Sequence, residues 1–233
     1  MRGGEICYNE TGDIMELRAE LAALADESYK NFQSRLIPNV DPARIFGVRI
    51  PKLRALAKTL ETDDFGWDFY EEQMLHGLYI GYCGLPFEKR LQLLDDFVPR
   101  IDNWAVCDCA VSSMRFIKKD RAAFSRWLQG YMSSDREYEL RFCVVVRMHA
   151  YLTAAYIDET LSYLRGLQSD FYYVQMAVAW ALATAFVPYR ERVLAILEAQ
   201  TLQPAVQNRT IGKICDSLRV DAQDKQLVRQ LRR

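Results

Sequence analysis

Apolar and polar positions follow a helical period along almost the whole of this chain. Apolar residues recur three and four positions apart, whereas proline and glycine fall between the periodic runs, as in "LIPNVDP", "GLPFEKR" and "FVPYRER". Two-residue alternation, the mark of a half-buried strand, is scarce. We therefore predict an all-α protein. The predicted helices cover residues 13–35, 51–61, 67–82, 86–97, 103–118, 120–132, 136–152, 156–167, 170–186, 189–199, 204–217 and 221–232.

Polar residues recur inside these apolar helices at a nearly constant interval. Their separations are 33, 34 and 34 residues, and the set is Asp108, Arg141, Gln175 and Arg209. From residue 86 onward the helices also pair into hairpins of similar length, slightly shorter than the usual HEAT repeat. This spacing predicts an α-α superhelix, or solenoid, of HEAT-like helical hairpins, in which equivalent polar residues line one concave groove.

Length, composition and cysteine pattern indicate a single folded body. The chain has 233 residues, half of them hydrophobic, and we predict one domain over 1–233 with a loosely ordered N-terminus at 1–12. The six cysteines form no CxxC pair and five lie in apolar runs, which favours a reduced, cytoplasmic protein. Because no run of about 18 uncharged apolar residues occurs, we expect neither a membrane span nor an export signal. We expect a monomer.

The overall charge is nearly neutral, with 30 basic and 31 acidic residues. That balance is unusual for a protein that holds a phosphate backbone. Acids outnumber bases by seven to three in residues 1–30, and residues 61–72 carry six acids and no base. Bases outnumber acids by five to one in residues 115–126 and by seven to three in residues 209–233. A local basic surface is therefore compatible with the neutral total.

The helical period also predicts which candidate side chains face away from the core. The polar stripe of the helix predicted at 103–118 consists of Trp104, Asp108, Ser112 and Arg115. Asp108 is therefore expected to look into the groove. On the helix predicted at 170–186, Trp180 stands among small alanines, so its indole is expected at an open surface.

One carboxylate, one guanidinium and two indoles suit the cleavage of an N-glycosidic bond through a cation-like sugar. A carboxylate can stabilise the oxocarbenium charge or position water, although glycoside hydrolysis usually employs two carboxylates. One is enough when the leaving base is a purine alkylated at N3 or N7, because that base is already cationic and departs without protonation. The faces of Trp104 and Trp180 attract such a cation by about 0.5–2 kcal/mol each. Arg141 is expected to hold a phosphate or to keep Asp108 ionised.

The same residues carry a resemblance to a known family, the AlkD-type DNA alkylation repair glycosylases. "NWAVCD" resembles the family's Trp-x-x-x-Asp helix, "LRFCVVV" resembles the helix carrying its Arg, and "DFYYVQMAVAWAL" resembles its paired aromatics followed by Trp. "YKNFQSRLIPNVDPARIFGVRIPKLRALAKTL" is similar to its N-terminal segment. The resemblance implies that Asp108 is the catalytic carboxylate, with Trp104, Trp180 and Arg141 around it. It also implies that the aromatic pair is Tyr172 and Tyr173.

The resemblance further implies an all-helical HEAT-like fold that acts on double-stranded DNA with alkylated bases. Cationic N3- and N7-alkylpurines would be removed without swinging the base into a pocket, unlike in most glycosylases. The region before Tyr29 is short and acidic, whereas the family uses N-terminal helices to grip the duplex. A shortened relative without glycosylase activity is therefore the alternative interpretation.

Further residues are candidates for DNA contact, and each also has a structural interpretation. The DNA-binding candidates are Tyr172, Tyr173, Gln175, Arg115, Lys118, Lys119, Arg209, Lys213, Arg49 and Lys52. The basic ones also fit solvated turns or a capped helix start, and the tryptophans also fit seams between helices. Asp108 and Arg141 also fit a structural ion pair. The adjacent Tyr172 and Tyr173 point about 100° apart, so one is expected to be exposed and the other packed.

Neither a metal nor a nucleotide cofactor is expected. His76 and His149 lack metal-ligand spacing, and the chain has no P-loop and no GxGxxG motif. Three classes of function remain open at this point. They are an alkylpurine DNA glycosylase, a non-catalytic HEAT-like module that binds nucleic acid, and a protein-interaction scaffold, which the near-neutral charge favours.

Overall fold

The fold is all-α, as predicted. A computed structural model describes residues 10–233, with side chains from residue 14 onward, and contains thirteen α-helices and no strand in that range. The helices are α1 (Glu10–Ala23), α2 (Glu27–Leu36), α3 (Ile50–Leu56), α4 (Tyr70–Tyr82), α5 (Phe87–Phe97), α6 (Trp104–Ser113), α7 (Arg121–Leu128), α8 (Glu137–Ala150), α9 (Ile157–Gly166), α10 (Tyr172–Phe186), α11 (Arg190–Glu198), α12 (Pro204–Asp216) and α13 (Ala222–Arg229). Short 3-10 helices lie at Pro42–Arg44, Val98–Arg100 and Arg115–Lys119.

The chain forms two compact units, Met1–Met114 and Arg115–Arg233. In the first unit, α4 packs most extensively against α6 and also contacts α3 and α5. In the second unit, α10 packs against both α8 and α12, so that these three helices form one layer. Helices α9, α11 and α13 pair with members of that layer. The predicted repetition of helical hairpins is therefore confirmed.

Close approach between α4 and α6 depends on two glycines of α4. A Cβ atom added at Gly77 would lie 2.5 Å from the Cβ of Ala110 and 2.7 Å from the ring of Phe97. A Cβ added at Gly81 would overlap the side chain of Ser113. Real side chains essentially never approach so closely, so the position of α6 requires glycine at both places.

Small residues serve the same purpose in the second unit. Ala177, Ala179 and Ala181 of α10 are at most 1 % exposed, and α10 has neighbours on both sides in α8 and α12. Because alanine adds only a methyl group, two helices can pack closely against α10 at once. Neighbouring helices occupy the space beside these alanines.

The segment before α3 is held by a buried carboxylate from α4. Glu71 is 0 % exposed and accepts hydrogen bonds from the backbone N–H groups of Phe46, Gly47 and Val48 at 3.0, 2.8 and 3.1 Å. Burial raises the pKa of Glu71, and the three N–H groups oppose that rise. Gly47 has φ +92°, a conformation that glycine adopts without strain. These bonds set where α3 begins.

The prediction of one continuous helix at 13–35 is wrong, because this stretch forms two helices, α1 and α2. Asp26 accepts the N–H of Tyr29 at 3.0 Å, and its own N–H donates to the Gly47 carbonyl at 3.0 Å. Such an N-cap starts a new helix and ends the old one. Hydrogen bonds from Ser28 and the Tyr29 N–H, together with Arg49, hold the pKa of Asp26 well below its ordinary value.

The helix predicted at 103–118 is also too long. α6 ends at Ser113, Met114 has non-helical ψ +58°, and the 3-10 helix Arg115–Lys119 follows. Arg115 therefore does not continue the helical stripe of Asp108, as the sequence had indicated. The helices predicted at 51–61 and 120–132 likewise end early, at Leu56 and Leu128.

The structure also bears on the predictions for the N-terminus, membrane spans and cysteines. Of the N-terminus expected to be loosely ordered, residues 1–9 lie outside the described part, and residues 10–12 belong to α1. Among residues 10–233 no helix is long and apolar enough to cross a membrane. The free thiols are Cys83, Cys107, Cys109, Cys143 and Cys215, and Cys7 lies outside the described part.

Gly77→Ala tests the close approach of α4 and α6. The added methyl group overpacks the contact with Ala110, so we expect the free energy of unfolding to fall by about 1–3 kcal/mol. The control is Gly212→Ala in α12, where nothing lies within 4 Å of an added Cβ. There we expect a gain of about 0.5–1 kcal/mol from helix propensity. Urea unfolding measures both, and equal stability of Gly77→Ala and wild type would contradict this packing.

His76 is a buried titratable group of α4. Its ring stacks on Trp67 at 3.5 Å and on Phe65 at 4.1 Å between centroids. Nε2 lies 3.2 Å from the Gly66 carbonyl, which can only accept, so Nε2 carries the proton. Burial lowers the pKa of His76 from 6.5 to about 4.

The lowered pKa of His76 predicts a loss of stability in acid. Above pH 6.5 the imidazole is neutral in both the folded and the unfolded state. As the pH falls from 6.5 to about 4, the unfolded state takes up the proton first, so the free energy of unfolding falls by up to about 3 kcal/mol. His76→Phe removes this titration, so its urea-unfolding free energy should fall less across that range. The exposed His149→Phe is the control and should keep the wild-type fall. Parallel curves for wild type and His76→Phe would refute the assignment.

Candidate functional site

Helix α6 presents Asp108 on the face turned away from the core of the first unit. Asn103 caps the helix by accepting the Val106 N–H at 2.9 Å. On the core side, Val106, Cys107 and Ala110 are fully buried, whereas Asp108 is half-buried. Asp108 therefore lies on the side of α6 opposite its buried residues, and the groove that it was expected to face stays a prediction. Its carboxylate is neither sealed under helices nor fully solvated.

Trp104 lies one turn before Asp108 on the same face of α6. Its indole is half-buried, and Nε1–H donates to the carbonyl of Leu36, the last residue of α2, at 3.0 Å. The bond fixes the plane of the ring beside the carboxylate face. The sequence allowed Trp104 either to pack between helices or to face the surface beside Asp108. Its indole does both, because it bonds to the end of α2 and remains partly exposed.

A third group on this face is Arg54 of α3, whose contacts with α4 and α6 the sequence did not indicate. Its guanidinium donates to the Tyr82 hydroxyl at 2.7 Å and to Ser112 Oγ at 2.8 Å, and it approaches Cys109 Sγ at 3.5 Å. Burial raises the pKa of the Cys109 thiol, and the charge of Arg54 opposes this. The bonds bring a positive charge to the face of α6 that carries Asp108.

In the second unit, Arg141 of α8 is buried and holds the start of α10. Arg141 is 5 % exposed, and its Nη1 donates to the backbone carbonyl of Tyr173 at 2.7 Å. The Tyr173 N–H in turn donates to the Glu137 carboxylate at 2.8 Å. Both backbone polar groups of Tyr173 are thus hydrogen-bonded to side chains of α8. This contact gives Arg141 a structural role that the sequence did not reveal.

The 34-residue spacing brings Gln175 and Arg209 into direct contact. Nη1 of Arg209 on α12 donates to the Gln175 side-chain oxygen on α10, and Gln175 Nε2 donates to the Ser169 carbonyl at 2.8 Å. The Arg209 guanidinium also lies 4.9 Å from the ring centroid of Tyr172. Tyr172 is 53 % exposed, and Tyr173 packs against Tyr138 at 5.9 Å. One tyrosine is exposed and the other packed, as predicted.

Trp180 of α10 borders a surface depression of about 300 Å³. The depression is lined by Trp180, Ala183, Thr184, Lys213, Asp216, Ser217 and Arg219. The Trp180 indole is half-buried and meets the His149 ring edge-on at 6.2 Å. Two cations and one carboxylate around the half-buried indole make this an electropositive, partly apolar surface.

A second depression of about 270 Å³ continues this surface. It shares Thr184 and Arg219 with the first, and Lys118, Arg121 and His149 contribute its other ionisable groups. Arg121 also donates to the Ala150 carbonyl at 2.6 Å, so part of its donor capacity is used internally. Arg115, Lys118 and Lys119 are all exposed on their 3-10 helix. Of these three predicted DNA contacts, only Lys118 lines the depression.

Arg49 and Lys52 lie in the first unit and connect the start of α3 to the turn between α1 and α2. Arg49 forms an ion pair with Asp26 at 2.8 Å and lies 5.2 Å from the ring centroid of Tyr29. Lys52 Nζ donates to the Leu24 carbonyl at 3.4 Å. Both side chains remain exposed, and their predicted role in DNA binding stays a prediction.

Arg219 and His149 are surface groups of this site that the sequence did not indicate. The excess of bases in residues 209–233 was visible, but it did not show which base stands beside Trp180. Arg219 follows the end of α12, so no helical period relates it to Lys213. The turn after α12 brings Arg219 near Lys213, and the packing of α10 against α12 sets both cations beside Trp180.

The sequence of the chain matches one known protein family over most of its length. A model of the family described as DNA alkylation repair enzyme matches residues 17–211. The chain belongs to the DNA alkylation repair enzyme family. The matched stretch contains α6 with Asp108 and α10 with Trp180. No curated protein matches the chain.

Membership of the DNA alkylation repair enzyme family supports a role in DNA repair. DNA is therefore the partner to consider for the surface cations of this family member. The electropositive surface around Trp180 and the carboxylate on α6 are the features of each unit that suit such a partner.

Arg141→Met tests whether this arginine is structural in this member of the DNA alkylation repair enzyme family. The variant removes a buried charged donor to the Tyr173 carbonyl, so we expect the free energy of unfolding to fall by about 1–3 kcal/mol. The control is the exposed Arg115→Met, expected to stay within about 0.5 kcal/mol of wild type. Unchanged stability of Arg141→Met in urea would show that the contact with Tyr173 contributes nothing.

Proposed function

We propose that the protein is a DNA glycosylase that hydrolyses the N-glycosidic bond of positively charged N3- and N7-alkylpurines in duplex DNA. The observation that carries this proposal is the half-exposed carboxylate of Asp108, one turn from Trp104 in a member of a DNA alkylation repair family. One carboxylate that reaches the surface suits a reaction that needs charge stabilisation and no general acid.

The proposed reaction follows from the charge of the leaving base. The electron pair of the bond between C1′ and the purine nitrogen leaves with the base, which becomes neutral. The sugar is left as an oxocarbenium ion, and Asp108 stabilises that charge electrostatically. Water then adds to C1′ and releases its proton to solvent. The products are a neutral alkylpurine and an abasic site.

The indoles are proposed to contact the damaged nucleotide. Trp104 is held by its bond to Leu36, so its ring needs little ordering when a cationic sugar or base approaches. Trp180 offers a half-exposed indole beside Lys213 and Arg219. For Arg141 we propose a positioning role through Tyr173, because its guanidinium is buried.

The cations of the second unit are proposed to bind the phosphate backbone. Lys118, Lys213 and Arg219 border two depressions that share Thr184 and Arg219. Each phosphate contact releases counterions and makes affinity depend on salt. Arg209 and Tyr172 extend the same proposal to the start of α10, where a cation lies over an exposed ring.

The near-neutral total charge does not oppose this proposal, because part of the acidic charge is internal. Glu71 and Glu72, from the acid-rich segment 61–72, are both 0 % exposed. Glu71 binds backbone N–H groups, and Glu72 pairs with Arg18 at 2.6 Å. These carboxylates serve the fold of the first unit and present no charge to a phosphate at the surface.

Release of 7-methylguanine from methylated duplex DNA tests the proposal. Asp108→Asn keeps the shape of the side chain and removes its charge, so we expect single-turnover release to slow by about a hundredfold or more. Chromatography of the freed base measures the rate. The matched control is Asp64→Asn, a carboxylate on an exposed segment of the same unit, which should release the base at the wild-type rate.

The alternatives give different results in the same assay. If wild type releases nothing but binds duplex DNA with strong salt dependence, the protein is a non-catalytic nucleic-acid module. If it neither releases a base nor binds DNA at low salt, the scaffold interpretation replaces the proposal. Equal rates for wild type and Asp108→Asn would remove Asp108 from the mechanism.

A further inference from the structure

The loop between α12 and α13 displays the most exposed large apolar side chain in the described part of the protein. Leu218 is 99 % exposed, and the next highest value is 65 %, for Met15. A leucine in this position forgoes all the burial that normally stabilises it. A polar residue would serve a plain solvated loop equally well.

The loop is anchored on both sides, so Leu218 is held outward. Ile214 and Val220 are 0 % and 8 % exposed, respectively. The Ser217 N–H donates to the Ile214 carbonyl at 3.2 Å, and the Arg219 N–H donates to Ser217 Oγ at 3.2 Å. Because buried residues lie within four positions on either side, the loop cannot fold Leu218 back without breaking these contacts.

The neighbours of Leu218 are charged. Ser217 and Arg219, on either side of it in sequence, line the depression that also contains Trp180, Lys213 and Asp216. Two cations and one carboxylate leave this rim with a net positive charge. An anionic partner therefore fits the surface next to the leucine.

We propose that Leu218 is a wedge that inserts between stacked bases of duplex DNA while Lys213 and Arg219 bind the adjacent phosphates. This inference rests on the proposed function, because it takes DNA as the partner. A protein partner would require a broader apolar surface than one side chain. Leucine between cations instead matches the wedges by which DNA-binding proteins partly unstack a base step.

The wedge is tested by fluorescence of 2-aminopurine placed beside a stable abasic-site analogue in duplex DNA. Unstacking raises this fluorescence, so wild type should produce a clear rise on binding. Leu218→Ala should lose most of the rise and weaken binding about three- to tenfold, the scale of a partly buried leucine. Leu218→Phe, which keeps a large apolar wedge, should retain the rise.

Leu85→Ala is the matched control, since it removes another leucine that is exposed, at 37 %, from a loop. It should leave both the fluorescence and the affinity unchanged. If wild type binds the duplex without a rise, or if Leu218→Ala gives the full rise, the wedge is refuted while the proposed glycosylase stands. If wild type binds no duplex at low salt, the wedge and DNA as a partner both fail.

Discussion

Close contact between neighbouring helices, made possible by small side chains, is the constraint on which both units depend. In the first unit, Gly77 and Gly81 let α4 press against α6, and no larger residue fits at either place. In the second, the buried alanines of α10 let α8 and α12 pack on both of its sides. Dense packing of this kind fixes helix positions to within fractions of an ångström, which a functional surface requires.

The functional groups follow from that packing. With one face of α6 committed to α4, the residues that cannot be buried, Asp108 and Ser112, take the opposite face, and Trp104 joins them through its bond to Leu36. In the second unit, the same logic places Trp180 at an open surface beside Lys213 of the adjacent helix. One unit therefore presents a carboxylate with an indole, and the other presents cations with an indole.

The sequence predicts what depends on local period and misses what depends on contacts between distant residues. Helix type and the side of α6 that carries Asp108 follow from spacing, and the repeat interval places Gln175 and Arg209 on neighbouring helices without predicting their hydrogen bond. The break at Asp26 does have a local signal, the N-cap to Tyr29, which the long helix prediction overlooked. The contact of Arg54 was missed because its partner Ser112 lies 58 residues away. The buried state of Arg141 likewise depends on Tyr173, a contact that a helical wheel does not contain.

The central claim is that a single carboxylate is sufficient because the leaving base is already cationic. Its most direct test compares two duplexes that carry, at the same position, either cationic 7-methylguanine or neutral hypoxanthine. Single-turnover release of each base by the wild-type protein is the measurement. We expect release of 7-methylguanine and no detectable release of hypoxanthine. Release of both bases at similar rates, or of hypoxanthine alone, would contradict it.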